Sequence, residues 1–231
     1  MSPKPRLKPV KNRRFKQRGP ARLGPGEEKA RAKILKAARL VFAQHPFKSA
    51  STRLIAELAG IEHPLIHYYF GSKARLFEAV ARDLYEEFNR ANQSWLEGLE
   101  KTMPEKGLSL YLDRLVDYAF ENPEALQIIF LNMAQVGGVE EIPGFHYIRL
   151  HLKQVSRTVA RTVHLRGSRA DYEMFIHCFN NLVISLLGPR HIQAQVLKLD
   201  PDSRAYRAWV KQALYRLFLP WLEKLVFPAK N

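Results

Sequence analysis

An all-α fold, with a small N-terminal three-helix unit followed by a larger helical domain, is predicted for this chain by three observations. Apolar residues recur at three- and four-residue spacing through most of the sequence. No alternating strand pattern competes with them, and no internal repeat is visible. Prolines and glycines cut the chain into pieces of helical length. At 231 residues there is room for one domain of about 50 residues and a larger one, so the reading is a basic arm over 1–26, a helix-turn-helix unit over 27–76 and a helical domain over 77–231.

The elements follow in order. Residues 1–26 hold nine Lys and Arg and no acidic residue, interrupted by Pro3, Pro5, Pro9, Pro20 and Pro25, so this arm cannot be one continuous helix and reads as disordered when free. A first helix begins near Glu27 and carries Ile34, Leu35, Ala38 and Phe42. Thr52 suits the cap of a second helix whose inner face is Leu54, Ile55, Leu58 and Ala59. Gly60 supplies a left-handed residue to end it, and Ile61 returns to the core. Pro64 fits the first turn of a third helix, where its missing N–H costs nothing, with Ile66 and Phe70 inward and His63, Leu65, His67 and Tyr68 near the outer surface. From Lys73 to about Lys101, Leu76, Val80, Leu84, Phe88, Trp95 and Leu99 keep helical spacing. Helices are then expected near 105–121, 123–136, 144–166, 169–188, 190–198 and 203–226, the last kinked at Pro220.

Two short helices crossing at a glycine turn form a helix-turn-helix, whose second helix fits the major groove of B-DNA. The net charge of +15 and pI near 10.0 favour a polyanionic partner. Nine of those charges sit in the arm, where Arg13, Arg14, Lys16, Arg18 and Arg22 are candidates for the DNA backbone or the minor groove. Thr52, Arg53 and Lys73 are candidate phosphate contacts at helix starts. His63, Pro64 and Leu65 are candidates for base edges or thymine methyls, and Tyr68 for either phosphate or a methyl. The alternative from a different class is nonspecific binding of nucleic acid or an anionic surface by the arm alone, with the helix pair as scaffold.

The run Ile55-Ala56 with Ala59-Gly60-Ile61, then Tyr69-Phe70-Gly71-Ser72-Lys73 and Leu76, resembles the DNA-binding domain of the TetR family of bacterial transcriptional regulators, over residues 27–80. Two residues depart from the family pattern. Glu62 stands where a small polar residue is usual; it repels phosphate but accepts from the cytosine amino group, so it points to an unusual operator. His67 stands where a phosphate-binding tyrosine is usual, which predicts DNA binding that weakens as pH rises through the histidine range.

The resemblance implies a repressor that binds double-stranded DNA as a homodimer and is released by a small molecule held in the larger domain. The residues agree with a hydrophobic or aromatic effector: Tyr111, Leu115, Phe130, Met133, Phe145, His146, Phe175 and Phe179 are candidates to line its cavity, with Asn180 and Asn181 as polar handles. The apolar faces of the last two long helices exceed the needs of one core. The resemblance implies that they pair across a two-fold axis, and Phe179, Leu182, Leu186, Trp209, Leu214, Leu217 and Trp221 are the candidates for that interface.

Other chemistries lack a basis. His63 and His67 share a helical face, but no third metal ligand is evident. There is no glycine-rich phosphate loop, no nucleophile elbow and no marked carboxylate pair, so neither an enzyme nor a cofactor site is expected. The single cysteine, Cys178, beside Ile176 and Phe179, reads as a buried structural thiol. With no signal peptide and no run of about twenty apolar residues, the chain is expected to stay in the cytoplasm, without a membrane partner.

Overall fold

The computed structural model describes residues 24–133, 142–162 and 168–226; the candidate arm contacts Arg13, Arg14, Lys16, Arg18 and Arg22 lie outside these. Ten α-helices make up the described chain: α1 (Pro25–Gln44), α2 (Thr52–Ala59), α3 (Pro64–Phe70), α4 (Lys73–Leu96), α5 (Pro104–Glu121), α6 (Glu124–Met133), α7 (His146–Thr162), α8 (Arg169–Leu187), α9 (Arg190–Val196) and α10 (Arg204–Val226). Among the described residues there is no strand, and no helix is long and apolar enough to cross a membrane.

Several boundaries move for local reasons. α1 starts at Pro25, inside the stretch assigned to the arm, because Glu27 folds back so that its Oε2 accepts the Gly24 N–H at 2.9 Å. Ser51, not Thr52, caps α2: its hydroxyl accepts the Leu54 N–H, and Thr52 becomes the first helical residue. Leu58 is exposed, and Ala56 takes its place on the inner face. The helix ends where expected, at Gly60 with φ 63°. α4 stops at Leu96 rather than near Lys101, because Gly98 is left-handed (φ 79°) and leads into a short 3₁₀ turn, Leu99–Lys101. α7 begins only at His146, after a left-handed Gly144. α10 runs on through Pro220 to Val226.

Two apolar cores result. The first gathers Ile34, Val41 and Phe42 of α1, Ile55 of α2, Ile66 and Phe70 of α3, Leu76, Phe77 and Val80 of α4, and reaches Ile128 of α6. The second joins Trp95, Leu112, Leu115 and Val116 to Phe179 and Val183 of α8 and Tyr206, Val210 and Leu214 of α10. Helix α4 enters both, so the DNA-binding unit shares a wall with the larger domain beyond residue 76.

Candidate DNA-binding surface and ligand cavity

Helix α3 is set by a few specific contacts. Ile66 and Phe70 are buried beneath it, while Pro64, His67 and Tyr68 are exposed on its outer side, with Glu62 exposed just before it. Thr52 Oγ1 and His63 Nε2 lie 2.9 Å apart, a hydrogen bond that ties the first residue of α2 to the residue preceding α3. His63 and Leu65 are therefore half-buried rather than free at the surface. The Tyr68 hydroxyl donates to Glu27 Oε1 at 3.0 Å, and this bond to a carboxylate raises the phenol's pKa. Nothing in the sequence pattern marked Glu27 for that contact, because the two residues are 41 apart.

His67 Nδ1 lies 3.1 Å from the Gly71 carbonyl, which can only accept, so Nδ1 carries the hydrogen. The neutral ring then turns Nε2 outward as an acceptor, and only the imidazolium donates to a phosphate there. Lys73 is held back by the protein itself. Its ammonium is drawn back to the Lys48 and Ala50 carbonyls (3.1 and 3.2 Å) and lies 5.0 Å from the centre of the Phe47 ring, so two of its three donors are spent within the protein. Arg53 on α2 and Arg75 in the first turn of α4 are exposed, and Arg75 had not been singled out.

A cavity of about 330 Å³ lies between α4, α5, α6, α7 and α8. Of the sequence candidates it is lined by Tyr111, Leu115, Met133, Phe145, Phe179, Asn180 and Asn181. Phe130, His146 and Phe175 lie outside it: His146 is exposed against Tyr147, and Phe175 packs on Phe218 and Trp221 of α10. The walls also include Phe77, Tyr85, Phe88, Asn132 and His151, none of which had been expected. The α7 sequence holds two histidines, and only the rotation of the helix against α4 decides that His151 faces inward.

Two of the polar side chains in this cavity, Tyr111 and His151, are held neutral by burial. Burial pushes the Tyr111 phenol up, and its hydroxyl donates to Asn92 Oδ1 at 2.8 Å. His151 lies 3.3 Å from Asn89 Oδ1; burial lowers its pKa from 6.5 to about 4, against a smaller opposing effect of the bond to Asn180. In the unfolded chain His151 takes up its proton near pH 6.5. Stability is thus undiminished above that pH and falls as pH drops toward 4, by at most about 3 kcal/mol. His151→Leu is expected to flatten this part of the profile in urea unfolding at pH 7 and pH 4.5. Equal losses for both proteins would remove His151 as the cause. Among the described residues no group of three or more His, Cys, Asp or Glu side chains is placed to hold a metal ion.

The candidate interface residues divide into three sets by burial. Phe179, Leu186 and Leu214 are buried within the subunit's own second core, so they close it rather than face outward. Leu182 and Trp221 are half-buried against the same core. Trp209 and Leu217 are 37% and 61% exposed. One flank of α10 meets α5 through Arg207 to Asp117 and Lys211 to Asp113 (3.7 and 2.9 Å), and the other meets α8 through Phe218 and Trp221 against Phe175 (5.4 and 5.5 Å). At 3.6 residues per turn Leu217 lies close to Trp221, and Trp209 falls on the side turned away from Arg207 and Lys211. On α8 Met174 and Cys178 are exposed, the latter contrary to the buried thiol expected.

Residues 34–80 match the family profile described as bacterial regulatory proteins, tetR family. The HTH-type transcriptional repressor NicS of Pseudomonas putida is 34% identical over 190 residues, covering 79% of this chain and 88% of that one. The repressor SCO4008 of Streptomyces coelicolor is 30% identical over 122 residues, 49% of this chain and 54% of its own. The fold is similar to that of the fatty acid degradation regulator FadR from Bacillus halodurans, with TM-score 0.62 at 15% identity over 86% of this chain and 97% of FadR. A tetR family regulator from Shewanella sp. PV-4 gives 0.60 at 18% identity, over 83% and 96%.

Proposed function

This chain belongs to the TetR family of bacterial regulatory proteins and is a DNA-binding transcriptional repressor; on that premise we propose that it binds a palindromic operator as a two-fold dimer and is released when a small hydrophobic or aromatic molecule fills its cavity. The observation that carries the DNA reading is helix α3, anchored by buried Ile66 and Phe70 while Pro64, His67 and Tyr68 stay exposed. A two-fold pair of such helices reads successive major grooves, roughly 34 Å apart or a multiple of the helical repeat. Glu62, Pro64, Tyr68 and the half-buried His63 and Leu65 then supply base and methyl contacts, with Thr52, Arg53, the α4 start at Lys73 and the basic arm on phosphates. The protein acts in the cytoplasm by occupancy of DNA, and no reaction is assigned to it.

The cavity supports the effector class. Its walls are aromatic and aliphatic, and His151 is uncharged near neutral pH. Arg149 reaches its lining from an exposed position on α7. An uncharged, largely apolar ligand loses little hydration on entering such a site and still finds Tyr111, Asn180 and His151 to orient it.

Selection of random duplex DNA by the purified protein at about 150 mM salt tests the function, beside a chain lacking residues 1–22. Both are expected to enrich the same inverted repeat. Retention of bulk DNA by the full-length chain with no enriched repeat would instead mean nonspecific binding through the arm.

With the enriched operator in hand, His67→Phe is expected to lower affinity roughly tenfold, because it removes the exposed imidazole from the outer side of α3. Unchanged affinity would sink the phosphate role of this residue.

A further inference from the structure

The cavity and the DNA-binding helices meet at one side chain. Asn132, in the last turn of α6, is 5% exposed and lines the cavity. Both ends of its amide are occupied: Nδ2 donates to the Ile128 carbonyl at 2.8 Å, and Oδ1 accepts the Phe47 backbone N–H at 2.9 Å across 85 residues of sequence. Phe47 belongs to the loop between α1 and α2. Its ring packs edge-on against Phe77, another cavity residue, at 5.1 Å. The same loop is pinned from α4 by Lys73, bonded to the Lys48 and Ala50 carbonyls.

That loop runs straight into the DNA-reading unit. Ala50 is followed by the Ser51 cap and then by Thr52, whose hydroxyl meets His63 before α3. The Phe47 N–H lies outside any helix and depends on Asn132 for its acceptor. A part-buried donor left without an acceptor is disfavoured, so a displacement of the α6 end draws the loop with it.

We propose that Asn132 is a positioning residue that carries changes in the cavity to the start of α2, and through the Thr52–His63 contact to α3. This rests on the reading of the cavity as the effector site. It predicts a specific route, from α6 to the α1–α2 loop, besides any movement of α4.

The test is backbone amide exchange in the full-length protein, with a change in the cavity wall standing for an occupant. Ile129, on α6, lines the cavity. Ile129→Ala is expected to change exchange at Phe47 by roughly tenfold, while Val116 in α5 and Val210 in α10, both in the second core, keep their protection. Asn132→Leu should speed exchange at Phe47 by itself and abolish the further response to Ile129→Ala. Asn132→Asp, which keeps an acceptor for Phe47 but loses the donor to Ile128, should retain both protection and response; it serves if Asn132→Leu fails to fold. Phe47 exchange indifferent to Asn132→Leu overturns the proposal. So does an Ile129→Ala effect of equal size with and without Asn132, which would leave the residue a purely structural role. The readout uses neither DNA nor effector. An unsuccessful operator selection and an uncoupled Asn132 would therefore be seen as separate failures.

Discussion

Leu217→Arg is expected to turn the protein into monomers and to lower operator affinity by roughly 10²- to 10⁴-fold, the gain that joining two half-site contacts ordinarily supplies. Leu217 is 61% exposed on α10, outside the second core, so the subunit itself should fold and keep its thermal transition. A guanidinium placed there would have to be buried unpaired against a second copy, beside the already exposed Arg216. Sedimentation of the variant and binding to the selected repeat and to a single half-site separate the effects. Monomers that bind one half-site normally and the full repeat weakly are the expected result. A dimer with unaltered affinity would place the two-fold interface elsewhere.

Phe42→Ala is expected to unfold the DNA-binding unit while leaving the larger domain folded. Phe42 is fully buried in the first core and meets the edge of Phe77 at 4.7 Å. Truncating such a ring costs about 3–5 kcal/mol, a large share of the roughly 5–15 kcal/mol that holds a domain together. All three tryptophans, Trp95, Trp209 and Trp221, lie away from that core. Far-ultraviolet circular dichroism should therefore lose part of its helical signal at a temperature where tryptophan fluorescence is unchanged. Coincident transitions by both probes would show that α4 and α6, shared between the cores, make the whole subunit one cooperative unit.

Much of the local structure was legible in the sequence because local structure depends on few residues. Gly60 ends α2 and Pro64 opens α3 wherever they are placed, since a left-handed φ and a missing N–H have few other uses. The same economy limited the reading. Apolar spacing runs past Leu96 to Leu99, and the pattern does not show that α4 ends before Gly98, left-handed at φ 79°. Two adjacent hydroxyls, Ser51 and Thr52, could each cap α2; packing gave the cap to Ser51 and left Thr52 to bond His63.

By itself the sequence determined the all-helical class, the helix-turn-helix, the concentration of charge in the arm and an excess of apolar surface on α8 and α10. Those properties depend on composition and on periodicity along one chain. Tertiary structure alone decided which apolar residues close the subunit, as Phe179, Leu186 and Leu214 do, and which face outward, as Trp209, Leu217 and Cys178 do. It also decided that His151 rather than His146 enters the cavity, and that Asn132 meets Phe47. A periodic pattern shows that a helix has an apolar side, but the rotation of that side against its neighbours follows from packing among segments far apart in the chain.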